Sequence, residues 1–147
     1  MTRMISLPAV FVSTALALGM TAPSLADGES RIQVTISGLD AQRGGQVQVG
    51  LYASQAAWDE QDAITGEMAR VDGDTVTVVF ENLADGAYGI MLFQDFDSDG
   101  ELDMNAFGIP SEPYAFSNNA TGRFGPARWS DAHFMVAGSA EQSISLD

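Results

Sequence analysis

The amino-acid sequence predicts an all-β domain, a sandwich of six or seven short strands, and three observations carry that expectation. Apolar residues recur at every second position in most segments, which puts one face of each strand against a core. Turn-forming Gly, Asp, Asn and Pro break the pattern at short intervals, as in sandwiches rather than βαβ units. Helical spacing is confined to residues 54–58, where Ser54 is placed to act as an N-cap.

Residues 1–26 read as a signal peptide. Arg3 gives a basic start, residues 5–20 are apolar, and Ser24-Leu25-Ala26 puts small residues where a signal peptidase needs them, so cleavage is expected after Ala26. The apolar run is interrupted by Pro8, Ser13 and Thr14 and is short for a membrane span. Residues 27–147 are then one domain, delivered to the periplasm or outside the cell, with no membrane span after cleavage.

Within that domain Ile32, Val34 and Ile36 alternate with polar neighbours, and Val47, Val49 and Leu51 repeat the pattern after Gly44-Gly45. Residues 67–71 and 75–80 are expected to form a hairpin across Asp72-Gly73-Asp74, with Val76, Val78 and Phe80 facing inward. Residues 87–94 are apolar on both faces and suit a central strand. Phe134 and Val136, then Ile144 and Leu146, give two closing strands around Gly138-Ser139.

Between them, acidic side chains occupy alternate positions at Asp95, Asp97, Asp99, Glu101 and Asp103, with Gly100 where a tight loop turns. Five carboxylates so close repel one another unless a cation sits among them. Calcium accepts six to eight oxygens from a flexible loop, so residues 95–103 are expected to bind Ca2+. In the helix-loop-helix calcium pattern, Asp95, Asp97, Asp99 and Gly100 fall at positions one, three, five and six. Glu101 would offer its backbone carbonyl, and Asp103 stands ninth. The twelfth position, usually a bidentate Glu, is Ala106, so a further oxygen must come from Asp103 or from a distant residue such as Glu112. A solvated acidic turn between strands is the alternative.

Residues 105–130 break the strand rhythm. They hold Phe107, Tyr114, Phe116, Phe124 and Trp129 among several Gly and Pro pairings. Long irregular connections are functional or disordered, and five aromatics argue against disorder. They either pack onto the sheet as a lid or line a surface for a protein or carbohydrate ligand. Arg123 and Arg128 lie in this segment, where they either clamp a carboxylate ligand or pair with surrounding acids.

Composition narrows the function. A formal net charge of −14, from 20 acidic residues against six arginines and no lysine, opposes binding to nucleic acid or anionic membranes. No cysteine is present, which excludes disulfides, thiol catalysis and thiolate metal sites. One histidine, His133, cannot build a zinc or copper site, and no nucleophile motif accompanies it. No glycine-rich phosphate loop opens a helix.

The order Val79-Phe80-Glu81-Asn82-Leu83, Gly86-Ala87-Tyr88, the acidic loop, and then Asn105-Ala106-Phe107-Gly108-Ile109-Pro110-Ser111-Glu112 resembles the bacterial secreted family catalogued as domain of unknown function 2141. Ala115-Phe116-Ser117-Asn118-Asn119, Phe124-Gly125-Pro126 and Asp131-Ala132-His133-Phe134 continue the likeness, which runs from about Arg31 onward. The pattern Phe80-x-x-Leu83-x-x-Gly86-x-Tyr88 before an Asp-rich loop is similar, more distantly, to adhesin repeat modules and transthyretin-like domains. That similarity implies a non-catalytic, seven-stranded antiparallel β-sandwich, Ig-like or transthyretin-like, with calcium carried by Asp95, Asp97, Asp99 and Asp103. The expected function is a calcium-stabilised binding or interaction module. The alternative is a small periplasmic hydrolase or sugar-acting enzyme with a carboxylate site under the 105–130 loop.

Overall fold

The structure, a computed structural model, describes residues 28–146. The expected signal peptide, residues 1–26, and its cleavage site lie outside the described residues. Eight strands form two sheets. β1 (Ser30–Ser37) lies between β4 (Val76–Leu83) and β8 (Ser139–Ser145). The larger sheet runs β3 (Thr65–Arg70), β2 (Gln46–Tyr52), β5 (Gly86–Asp95), β6 (Tyr114–Phe116), with β7 (Phe134–Val136) also paired to β5. Among the described residues there are also two short α-helices, α1 (Gln55–Glu60) and α2 (Trp129–Ala132), and a 3-10 turn at Ser117–Asn119.

One buried cluster draws on both sheets, as in a sandwich: Ile32, Val34, Ile36 and Phe80 from one, Val47, Leu51, Ile90 and Leu92 from the other. The two-residue periodicity is the cause, because alternate side chains of each strand leave water together. The burial of β1 alternates along its whole length. Ser54 caps α1, its hydroxyl accepting from the Ala57 N–H at 3.1 Å.

Three expectations need correction. Among the described residues the strands number eight, two of them only three residues long. The ladder is not wholly antiparallel, since β1 and β8 run parallel, with Arg31 opposite Ser139 and Ser37 opposite Ser145. Residues 67–71 and 75–80 do not form a hairpin. β3 pairs with β2 and β4 with β1, so Asp72-Gly73-Asp74 carries the chain from one sheet to the other. A turn signal specifies a reversal, while ladder partners are chosen by which sheet buries the apolar face.

The two-faced apolarity of β5 has a direct cause. Its inner face meets the shared core, and its outer face meets a second cluster of Tyr52, Trp58, Phe116, Ala127 and Ala132. Trp58 of α1 is the hub. Its ring contacts Tyr52, Phe116 and Trp129, and its indole N–H donates to the Ala127 carbonyl at 2.8 Å. Both indoles sit over Gly89, where an added Cβ would come within 2.7 Å of Trp58 and 2.9 Å of Trp129.

Candidate metal site and the adjoining groove

The acidic loop leaves the end of β5 at Asp95, which is fully buried. Its carboxylate accepts from the Gly100 N–H at 2.8 Å, the Asp99 N–H at 3.3 Å and the Gln48 amide at 3.3 Å. Those bonds curl the chain around the Asp95 side chain. The bend needs left-handed backbone at Ser98 (φ 59°) and Gly100 (φ 84°), which explains the glycine. Asp97 and Asp99 extend the coil, each accepting from the N–H two residues on, at 3.3 and 2.9 Å.

Carboxylate oxygens converge in two groups, Asp95 with Asp97 and Asp99, and Asp97 with Asp103 and Glu112, the oxygens of each group within 4.8 Å of one another. Asp97 belongs to both. Glu101 offers no carboxylate to either group. Glu112, the distant oxygen donor anticipated from the sequence, is buried and closes the loop. One of its oxygens accepts from the Phe96 N–H at 2.8 Å and the other from the Asp103 N–H at 3.1 Å.

The electrostatics follow from this crowding. Burial pushes the Asp95 carboxyl upward, but hydrogen bonds from Gly100, Asp97, Gln48 and Asp99 prevail and hold it below the usual aspartate range. Asp97 is raised, chiefly by its side-chain hydrogen bond with Asp95 and then by desolvation. Asp103 is raised by desolvation and then by the charges of Glu112, Asp99, Asp95 and Glu101. Among the described residues no basic side chain forms an ion pair with these acids; the ion pair present, Arg70–Asp72 at 3.3 Å, is at the exposed surface. Arg43, the neighbouring cation, is stacked on the Phe96 ring at 3.5 Å. Negative charge is therefore concentrated without a protein counter-charge, and all five side chains offer the hard oxygen donors that calcium takes.

The 105–130 segment divides. Phe116 and Trp129 join the Trp58 cluster, whereas Phe107 and Phe124 are exposed, at 87% and 103%. Between the segment and the outer face of the larger sheet runs a groove of about 1030 Å³. Its floor includes Gln48, Met68, Met91 and Phe93, and Leu102 and Met104, which flank Asp103, form part of its rim. The loop is thus both a partial lid and the wall of a recess. The sequence signal for this recess was apolar residues at the outward positions of β5, where an exposed strand carries polar ones.

A family model described as "Uncharacterized protein conserved in bacteria (DUF2141)" matches residues 34–145. The chain belongs to this family. No curated protein and no solved structure matches it. The DUF2141 match spans β1 to β8 and so includes the acidic loop, Glu112 and the groove-forming segment.

His133, the one histidine, lies half-buried with its ring stacked on Trp129 and its Nδ1 2.9 Å from the Trp129 carbonyl. It is occupied in the aromatic cluster. Arg123 and Arg128 form no ion pair among the described residues, contrary to one of the two roles expected of them. Among the described residues no helix is long and apolar enough to cross a membrane.

Proposed function

We propose that this protein is a non-catalytic, calcium-stabilised β-sandwich module, of the Ig-like or transthyretin-like kind, that works as a binding domain in the periplasm or outside the cell. The observation that carries the reading is the convergence of Asp95, Asp97, Asp99, Asp103 and Glu112 into two groups sharing Asp97, without a basic partner. Folding these groups together costs Coulomb energy that a divalent cation reverses. Glu112 supplies the oxygen that Ala106 cannot, and its two bonds keep the loop's ends together. Delivery beyond the inner membrane is supported by the leader-like composition of residues 1–26.

The hydrolase alternative finds less support. Among the residues lining the groove the one carboxylate is Glu67, whereas glycoside hydrolysis needs a pair. The five converging acids suit an ion better than a general acid, which must hold and release its proton to a substrate.

Thermal melting with calcium and with chelator tests the reading. An ion that binds only the folded state stabilises it by about 1.4 kcal/mol at tenfold saturation. Affinities of extracellular modules, ~0.1–1 mM, put that response at millimolar calcium. Asp97→Asn and Asp99→Asn each reduce it, and magnesium substitutes poorly because it prefers a smaller octahedral shell. A melting temperature indifferent to calcium in all three proteins would leave residues 95–103 a solvated turn.

A further inference from the structure

The geometry points to a ligand class for the groove: a long-chain carboxylate, its apolar chain laid along the outer face of the larger sheet and its head at Arg123. The inference rests on reading the protein as a binding module and deepens it. At about 1030 Å³ the groove is at the upper end of small-molecule sites, which run ~300–1,000 Å³. Met68, Met91 and Phe93 on its floor and Ile109, Pro110 and Phe124 on its walls are apolar, and methionine adapts to an irregular flexible chain. Met68, Ile109 and Phe124 are large apolar side chains left exposed to solvent. A sugar would need several converging polar groups. Gln48 on the floor already directs its amide to Asp95 and Met68, and most of the remaining lining is apolar, with Tyr52, Gln61, Glu67, Tyr114 and Arg123 as the other polar side chains.

Charge chooses the head group. Arg123 is the one basic residue lining the groove, it forms no ion pair among the described residues, and it stands out in a chain of net charge −14. An alkylammonium would be repelled by it and a carboxylate held. Glu67, on β3, lines the same groove and disfavours an anion on its side, so the head lies at the Arg123 end and the chain runs over Met68 and Met91. A second copy of the chain is opposed by the repulsion of two strongly acidic molecules.

The test is displacement of a fluorescent polyene fatty acid from the full-length protein, without added calcium so that no insoluble calcium soap forms, by hexadecanoic acid, hexadecanol and hexadecylamine below their aggregation thresholds. Saturable one-to-one displacement is expected, the acid ahead of the alcohol by about fivefold, as for a largely exposed ion pair, and the amine weakest. Arg123→Gln erases the preference for acid over alcohol, and Phe124→Ser weakens all three; both positions are exposed, and circular dichroism verifies the fold. Absence of saturable displacement, preference for the amine, or an acid preference that survives Arg123→Gln overturns the inference. So does a concentration-dependent dimer, seen by light scattering, that Phe124→Ser dissolves. Acid binding and the calcium-dependent melt are read separately, so either can fail while the other stands.

Discussion

Glu112 occupies both of its oxygens with backbone N–H groups at opposite ends of the acidic loop, and this makes it the residue on which the loop's shape depends. Glu112→Gln keeps one acceptor and turns an NH2 toward the other N–H. The expected result is a loss of about 1–3 kcal/mol in urea unfolding without calcium, the cost of an orphaned buried donor, together with a weaker calcium response. The pH dependence has a defined sign. Asp95 has a depressed folded pKa, so its contribution to stability is full above the unfolded value, about 3.9, and is lost as pH falls through the folded one. Asp97 and Asp103 have raised folded values, so they take up protons in the window just above the ordinary aspartate pKa, where protonation relieves repulsion. In chelator the melting temperature should hold or rise slightly as pH enters that window, then fall below it. With calcium it should fall throughout, because protons and the ion compete for the same oxygens. A chelator profile that falls steadily from neutrality contradicts the assignment.

Among the elements, β5 carries the most weight, since its inner face completes the shared core and its outer face carries the aromatic cluster. Gly89 is the close-approach point, and Gly89→Ala should destabilise by about 1–3 kcal/mol in urea titration, the usual cost of overpacking. An unchanged midpoint would mean that the two indoles have room to shift. Most of this level was legible in the sequence. Alternation located β1, β2, β4 and the closing strands, a run apolar on both faces located β5, and Ser54 marked the start of α1. What was not legible was partnership. The strand periodicity of Val76, Val78 and Phe80 is the same whether that strand pairs with β3 or with β1, so the Asp72-Gly73-Asp74 turn suggested a hairpin the fold does not make. In the candidate site, the spacing of Asp95, Asp97 and Asp99 announced a coil around a centre. Glu112 was visible only as a spare carboxylate, because its two backbone bonds depend on where the loop's far end returns.

At the scale of the domain, far-UV circular dichroism of residues 27–147 should be strand-dominated, the helix among the described residues being the two short turns around Trp58 and Trp129 and the 3-10 turn at Ser117–Asn119. More helix than the globular average of about a third would contradict the fold. The parallel ladder between β1 and β8 has a mechanical consequence. Because Arg31 lies opposite Ser139 and Ser37 opposite Ser145, the chain enters β1 at one end of the ladder and leaves β8 at the other. Tension applied through those two points slides the strands along each other, loading the rungs together in shear instead of peeling them apart one by one. Single-molecule pulling should therefore give one abrupt high-force rupture, and gradual low-force lengthening would contradict it. A domain so built can be strung in series between two attachments and bear load along its length.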